Sequence, residues 1–429
     1  MPLGPLDRLH AVRADGSFGK RLAAVALAAL VLRVAWAVHI RDYDVRGDAE
    51  LFRSVAAGLA DGRGLQWPPW SPRVTAEHPP LWEIVLAGAD LVGLRASLTH
   101  RVLGALIGTF TVVLVGLIGR RVAGPRAGLL ASALAALSPM LIAADASLMS
   151  ETLFGALVAG ALLAAIELRR QPSLALAASL GALIALAALT RGEGVLLLAL
   201  LAVPATAMSH APARRRLGLA GLAVATAAAV MTPWTVRNLT TFERPVVLSN
   251  NAGGVLAGAN CPRTYRGELL GAWVFDCFAP AVRGDDESEF FHRQQVAGLR
   301  YARDHTGRLA AVVIAREARL FDVGRVGQAL FFNALEGRPP SIMRWAIRWE
   351  YLLLILAVAG AVILARRRRT ADLIALLAPV VLVVVTAMLL YGLTRFRHAA
   401  EPTFAVLAAV SLESAWRSWA ARRAARTPA

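Results

Sequence analysis

Apolar segments of near-membrane length recur along the chain. About 20 mostly apolar residues are needed for a helix to cross a bilayer, so this pattern predicts an all-α, polytopic membrane protein with about ten transmembrane helices. The predicted segments are 22–38, 101–119, 127–143, 152–168, 173–190, 194–209, 217–235, 350–365, 372–392 and 402–418.

Arginine clusters follow every second segment. All of them fall on one side of the membrane if each segment crosses it, and such positively charged connections are retained in the cytoplasm. We therefore expect a cytoplasmic N-terminus at 1–21 and a cytoplasmic tail at 419–429. The clusters are Arg120, Arg121 and Arg126; Arg169 and Arg170; Arg214 to Arg216; Arg366 to Arg369; and Arg417, Arg422, Arg423 and Arg426.

Two long connections, 39–100 and 236–349, then lie on the extracytoplasmic side. Loops of this length usually carry function. The stretch 81–94 is too short to span a bilayer, and 287–322 has helical spacing, so both are predicted to be helices at the outer membrane interface.

The domain organisation follows from these limits. We predict an N-terminal transmembrane catalytic module at 22–235 that includes the first outer loop. The second outer loop, 236–349, and the C-terminal transmembrane helices, 350–418, complete the chain.

Composition narrows the class of protein. With 57% hydrophobic and 17% charged residues among 429, the chain is neither an ordinary soluble enzyme nor a disordered protein. A net charge of +17 would suggest nucleic acid as a partner of a soluble protein. Here the charge is better explained by membrane topology, so no nucleic-acid partner is expected. Apart from Lys20, the basic residues are all Arg, which suggests a bacterium with a GC-rich genome.

Both cysteines, Cys261 and Cys277, fall in the second outer loop. An even number of cysteines on the oxidising side of a membrane favours a disulfide, with two free thiols as the alternative. Neither has a neighbouring Cys or His at zinc spacing, so no metal site is predicted for them.

Acidic residues cluster at the predicted outer face. Asp44, Asp48 and Glu50 follow the first helix, and Glu151 begins the fourth segment. A partly dehydrated carboxylate in such a place can act as a general base. The alternative is that these acids are solvated or stabilise helix N-termini, as Glu151 would after an N-cap at Ser150.

Basic residues are scarce on this side, and topology does not require them there. Guanidinium groups suit bidentate contact with phosphate, so the run Arg395-Phe396-Arg397-His398 could hold a lipid-linked phosphate. Arg191 and Arg237 are further candidates. Generic contact with anionic phospholipid head groups is the alternative.

His78 precedes two prolines, which bias it to an extended conformation and direct the chain into the next helix. It is a candidate for substrate binding, and the alternative is a rigid turn in which the imidazole is incidental. The chain has no Walker motif, His-Glu-x-x-His or nucleophile elbow, which argues against a primary pump.

The order of the short outer motifs resembles that of membrane glycosyltransferases of the GT-C class. The resemblance is to protein O-mannosyltransferases, aminoarabinose transferases and related bacterial enzymes that use polyprenyl-phosphate sugars, and it extends to about residue 415. The motifs are Gly47-Asp48-Ala49-Glu50-Leu51-Phe52, Glu77-His78-Pro79-Pro80-Leu81, Ser147-Leu148-Met149-Ser150-Glu151-Thr152-Leu153-Phe154, Leu189-Thr190-Arg191-Gly192-Glu193-Gly194, Pro233-Trp234-Thr235-Val236-Arg237-Asn238, Leu248-Ser249-Asn250-Asn251-Ala252-Gly253-Gly254 and Arg395-Phe396-Arg397-His398.

This resemblance implies an inverting transfer of a sugar from a polyprenyl-phosphate donor in the outer leaflet. It implies that Asp48 is the base on the acceptor hydroxyl and that Glu151 is a second acid near the active site. The family more often has Asp-Glu in the first loop, whereas Ala49 separates Asp48 from Glu50 here. Asp44 and Glu50 therefore remain alternatives for the base.

Many relatives need no metal, so we expect no required cofactor. The spacing of Asp42 and Asp44 keeps a divalent cation as an option. The expected partners are the lipid-linked donor, membrane lipids and an acceptor that the sequence does not identify. The expected location is the bacterial cell membrane, with the active site facing outside.

Two other functions compete with this one. A lipid-sugar flippase or secondary transporter would carry ionisable residues near the bilayer midplane, whereas these helix interiors are nearly free of charge. A non-catalytic subunit that assists another transferase would tolerate replacement of Asp48.

Overall fold

The computed structural model describes residues 5–67 and 73–425, with side chains from residue 16 onward. It confirms the predicted all-α class. The helices of the first half are α1 Pro5–His39, α2 Asp48–Ala60, α3 Leu81–Leu91, α4 Ser97–Ala123, α5 Pro125–Leu137, α6 Pro139–Asp145, α7 Glu151–Arg170, α8 Leu174–Thr190, α9 Val203–Ala207 and α10 Ala213–Thr241.

The second half contains α11 Asn251–Ala259, α12 Glu287–Asp304, α13 Leu309–Leu320, α14 Val326–Leu335, α15 Pro340–Arg366, α16 Thr370–Leu389 and α17 Glu401–Ala424. A 3-10 helix, Thr394–Ala400, joins α16 to α17. Of the predicted terminal segments, residues 1–4 and 426–429 lie outside the described residues.

The predicted count of ten transmembrane helices is not confirmed. Within 5–67 and 73–425, six helices are long and apolar enough to cross a membrane, or seven if the bent pair of α5 and α6 is one span. The three remaining predicted segments are not among these helices, each for a different reason. Helix α8 has only 17 residues, Gly192–Ala207 is divided among 3-10, π and α turns, and α17 carries Glu413 and Arg417.

The bend of 58° between α5 and α6 has a local cause. Pro139 has no N–H, so the carbonyl of Ala135 loses its helical donor. Arg33 of α1 donates to Ala135 O and Ala136 O at 3.1 Å each, and to Asp145 at 2.7 Å. A buried ion pair between Arg33 and Asp145 therefore ties α1 to the bend.

The arginine clusters meet at one end of the helix bundle. Helix α7 begins at Glu151 and ends in this arginine-rich end, so its 20 residues separate the two ends by about 30 Å, one hydrocarbon thickness. The contacts that join the clusters include Arg170 Nη2 to Arg121 O at 2.6 Å, Arg215 Nη2 to Pro172 O at 3.1 Å and Arg367 Nη2 to Ser414 Oγ at 2.8 Å, together with ion pairs from Arg169 and Arg369 to Asp372.

The opposite end is built from the two long connections. Helix α2 packs on α3, the helix expected at 81–94, and buried Trp82 of α3 donates to Leu148 O at 3.0 Å. The segment predicted to be helical, 287–322, contains two helices, α12 and α13, which a 3-10 turn at Thr306–Arg308 separates.

Arg316 of α13 faces the protein interior. It is 3% exposed and donates to the backbone carbonyls of Ala259 and Met388. In the same region the structure joins Cys261 and Cys277 by a disulfide.

Candidate active site

A cavity of about 320 Å³ opens at the end of the bundle opposite the arginine-rich end. Asp48 at the start of α2, His78 before α3 and Arg191 after α8 line it. Arg395 of the 3-10 helix, Asn251 of α11 and several further polar residues also line it, namely Ser150, Thr190, Glu193, Ser249, Thr386 and Tyr391. Residues separated by more than 300 positions thus converge on one hollow, and each comes from the end of a helix or a connecting segment.

Arg395 is the centre of this arrangement. Its Nη1 lies 2.8 Å from Asp48 and 3.1 Å from Glu336, and its Nη2 donates to the Tyr391 hydroxyl at 2.9 Å. Its Nε lies 3.7 Å from Glu151 and has no hydrogen-bond partner among the described residues. One guanidinium therefore organises three carboxylates at the cavity wall.

The run Arg395-Phe396-Arg397-His398 is divided by its 3-10 conformation. Successive residues turn by about 120°, so side chains two positions apart point to different sides. Arg397 points into the interior, where it meets Asp322 at 3.2 Å, Glu401 at 3.0 Å and Glu350 at 3.7 Å. It is fully buried and does not line the cavity.

His398 also lies outside the cavity lining. It packs on α7, where a Cβ added to Gly155 would come within 2.8 Å of its ring. Burial lowers the pKa of His398 to about 3, so the imidazole is neutral. Of the three site residues predicted in this run, Arg395 is therefore the charged group that reaches the cavity.

Glu151 lies directly behind the cavity wall. Arg191 Nη1 donates to its Oε1 at 2.7 Å, and Arg338 Nη2 lies 3.8 Å from its Oε2. The preceding turn holds Leu148 at φ 67°, a strained conformation for a non-glycine residue. Trp82 fixes the Leu148 carbonyl, so the start of α7 is held against α3.

His78 faces the cavity beside Asp48. Its Nε2 lies 4.0 Å from Asp48 Oδ1, and its ring is 4.8 Å from that of Phe52. The Asn251 amide lies 3.3 Å from Nδ1, which fits a donor to the unprotonated nitrogen and leaves the proton on Nε2. Burial lowers the pKa of His78, so this proton belongs to a neutral ring.

The surroundings lower the pKa of one acidic group of the site and raise the pKa of two others. Burial raises the pKa of Asp48, but the charge and hydrogen bond of Arg395 together with the charges of His78 and Arg191 outweigh burial and lower the pKa to about 2. Burial raises the pKa of Glu336 to about 7 despite the pull of Arg395. Burial also raises the pKa of the Tyr391 phenol to about 12. At neutral pH, Asp48 is therefore a carboxylate and Glu336 titrates.

Besides Glu151, Arg397 and His398, three further predicted site residues lie outside the cavity lining. Asp44 is exposed and pairs with exposed Arg46, and Glu50 is exposed on α2. Arg237 donates to Thr75 O at 3.1 Å, in a separate group that includes Glu287. Asp44 and Glu50 are thus exposed and away from the cavity, whereas Asp48 lines it.

The group around Arg237 contains more acid than base. Burial, with the nearby charge of Glu287, raises the pKa of Glu77 to about 8. Burial and Glu77 raise the pKa of Glu83 well above its usual value. Glu287 accepts from Asn250 at 2.9 Å and from the Ala76 N–H at 2.7 Å. These contacts attach the His78 segment to α12.

Sequence reasoning missed several residues of the site. Glu336 and Arg338 belong to Glu336-Gly337-Arg338-Pro339-Pro340, which directly precedes α15. The segment Glu77-His78-Pro79-Pro80 has the same form before α3, and this similarity could have identified it. Glu193 accepts from Arg191 Nε at 2.7 Å, and Tyr391 lines the cavity.

The arrangement can bind an anion and accept a proton at one place. Two arginines and a neutral imidazole N–H face the cavity, and the Asp48 side chain is one-third exposed there. Among the described residues, no group of three His, Cys, Asp or Glu side chains could hold a metal ion. Each carboxylate around Arg395 is instead compensated by a guanidinium.

No family model and no curated protein matches the chain. Among solved structures, it is similar to the archaeal oligosaccharyltransferase AglB from Archaeoglobus fulgidus in complex with an inhibitory peptide and a dolichol-phosphate. The TM-score is 0.56 at 14% identity, over 93% of this chain and 51% of that one. The A. fulgidus enzyme tethered to an acceptor peptide gives 0.53 at 16% identity, over 94% and 51%. ArnT from Cupriavidus metallidurans bound to undecaprenyl phosphate gives 0.41 at 18% identity, over 91% and 77%.

The chain spans about half the length of the AglB chains and shares their fold at low identity. The resemblance to the GT-C class is therefore confirmed at the level of the fold. The apolar helices and this fold together make the chain a multi-pass membrane protein.

Proposed function

We propose that the protein is an inverting glycosyltransferase that moves a sugar from a polyprenyl-phosphate donor to an acceptor hydroxyl. The observation that carries this proposal is the cavity in which Asp48 faces two arginines and a neutral histidine. The AglB structure of the same fold contains a dolichol-phosphate, a lipid phosphate of the proposed donor class.

The proposed reaction gives one role to the basic groups of the cavity and another to Asp48. The acceptor oxygen attacks the anomeric carbon while the bond from that carbon to the phosphate oxygen breaks, and polyprenyl phosphate leaves with the electron pair. Arg395, Arg191 and the Nε2–H of His78 stabilise the leaving phosphate. Asp48 takes the hydroxyl proton. A single displacement of this kind inverts the anomeric configuration.

Donor binding would activate Asp48. In the unliganded site the Arg395 guanidinium, 2.8 Å away, keeps this carboxylate weakly basic. A phosphate that takes over the donors of Arg395 reduces its pull on Asp48, so the carboxylate becomes a stronger base when the donor is in place. Glu151 acts behind the wall by orienting Arg191 and Arg395.

The active site belongs on the extracytoplasmic side of a bacterial cell membrane. It lies about one hydrocarbon thickness from the arginine-rich end, and positively charged ends are retained in the cytoplasm. We further propose that no divalent cation is required, because guanidinium groups already compensate the carboxylates. Transfer that survives treatment with EDTA would support this, and loss that Mg²⁺ or Mn²⁺ restores would contradict it.

The test is sugar transfer by the purified protein in lipid nanodiscs, with a panel of radiolabelled polyprenyl-phosphate sugars and membrane extract as the source of acceptor. Release of polyprenyl phosphate together with a product of inverted anomeric configuration is the expected result. In proteoliposomes, movement of intact donor across the bilayer without bond cleavage would instead identify a flippase. Cleavage with retained configuration would overturn the single displacement.

A further inference from the structure

A second polar hollow lies at the arginine-rich end, away from the active site. It has a volume of about 310 Å³ and is formed by the end of α7, the segment after α9 and the connection between α15 and α16. Four arginines line it: Arg169, Arg170, Arg368 and Arg369. Together with His210 they surround one carboxylate, Asp372.

The charges of this hollow do not balance. Arg169 and Arg369 both pair with Asp372, and Arg170 Nη2 lies 4.0 Å from the same carboxylate. The Asp372 side chain is 3% exposed, so its charge is compensated by the arginines within the wall. Four guanidinium groups against one carboxylate leave an excess of three positive charges among the lining residues, which favours a multiply charged anion such as a phosphate group.

A cleft of about 10 Å³, room for about one water molecule, adjoins the hollow between α7, α9 and α16. Arg169, Met208 and Ala371 line both spaces, and the cleft continues along Leu201 and Ile374. These helices lie in the apolar part of the bundle. Helices α7 and α16 are long and apolar enough to cross a membrane and both reach the hollow, so an anion bound there would lie at the depth of the bilayer headgroups.

We propose that this hollow binds the headgroup phosphate of an anionic phospholipid from the leaflet opposite the active site, with the acyl chains in the adjoining bilayer. Basic pockets between helices on the cytoplasmic side commonly bind such headgroups. The lipid would connect the ends of α7 and α16. At their other ends these helices lead to Glu151 and, through Tyr391, to Arg395.

The test is native mass spectrometry of the delipidated full-length protein, titrated with phosphatidylglycerol and, separately, with phosphatidylethanolamine of the same chains. We expect one tightly bound phosphatidylglycerol and weaker phosphatidylethanolamine. The double variant Arg368→Gln, Arg369→Gln should bind phosphatidylglycerol about 30-fold more weakly, since each surface cation contributes about fivefold. The matched control Arg126→Gln, Arg214→Gln removes two exposed arginines of the same end that do not line the hollow.

Equal losses in the double variant and the control would overturn the site, because the attraction would then belong to the surface as a whole. Displacement of the lipid by millimolar inorganic phosphate would overturn the lipid as ligand. If the double variant does not fold, Arg368→Gln alone leaves the ion pairs to Asp372 intact and should still weaken binding about fivefold. Unchanged binding by a folded Arg368→Gln variant would also contradict the proposal.

Discussion

Replacement of Arg395 tests whether one guanidinium organises the candidate site. This side chain approaches Asp48, Glu336 and Tyr391 within 3.1 Å and is 9% exposed. In Arg395→Gln, the carboxylates lose their shared countercharge and the leaving phosphate loses a charged donor. In Arg395→Lys, one charge remains, but an ammonium cannot reproduce the fork that serves several partners.

The expected magnitudes follow from these contacts. Loss of one well-placed donor to a developing oxyanion slows catalysis by about 10²- to 10³-fold, so we expect that loss in Arg395→Gln. Removing one partner from a buried ion pair destabilises a protein by about 3–5 kcal/mol. The actual loss should be smaller here, because Asp48 is one-third exposed and water can replace part of its interaction. The transfer rate and the stability of Arg395→Lys should both lie between those of Arg395→Gln and those of the original protein.

The assay is donor-dependent sugar transfer at saturating acceptor, with a thermal melt of the same preparation. Arg46→Gln is the matched control: Arg46 is exposed and pairs with exposed Asp44, away from the cavity, so this variant should transfer sugar at the original rate. Transfer by a folded Arg395→Gln variant within threefold of the original would refute the role of Arg395 in holding the phosphate.

Three further predictions follow. Glu336 gains its charge as pH rises through about 7 and then competes with the donor phosphate for Arg395, so the donor KM should rise above pH 7 in a pH series; Glu336→Gln should remove that rise, and an unchanged profile would argue against the competition. Gly155→Ala should destabilise the protein by about 1–3 kcal/mol in a denaturation assay, because its Cβ would overlap His398, whereas Gly160→Ala on the same helix has room and should be neutral; equal effects would contradict this packing. Cys277→Ser opens a disulfide loop with a sequence separation of 16 and should cost about 3 kcal/mol of stability, as should reduction of the original protein, and an unchanged melting temperature would show that the bridge does not stabilise the fold.

Several polar residues of the site could be predicted, because few charged residues occur between the apolar segments on the side away from the arginine clusters. Asp48, His78 and Arg191 each stand at a helix boundary on the side away from the arginine clusters, and all three line the cavity. By contrast, Glu336 and Arg338 lie about 185 positions from Glu151 in the chain. The similarity to Glu77-His78-Pro79-Pro80 could have marked their segment as a candidate, but their approach to Glu151 depends on tertiary packing.

The division between Arg395 and Arg397 was also beyond the sequence pattern. An apolar run followed by Arg-Phe-Arg-His does not indicate a 3-10 helix, and the direction of each side chain depends on that conformation. The predicted helix count stays unconfirmed for a related reason. Helices buried inside a bundle are as apolar as helices that span it, so α8 and the 192–207 stretch had the composition of spans without their length.

The most direct test of the proposed function is sugar transfer by Asp48→Asn compared with Asp44→Asn. The two acids are four positions apart, but Asp48 lines the cavity and pairs with Arg395, whereas Asp44 is exposed. If Asp48 is the base, Asp48→Asn should lose about 10²- to 10⁴-fold in transfer rate while donor binding persists, and Asp44→Asn should keep the original rate. Full transfer by a folded Asp48→Asn variant would contradict the proposed mechanism.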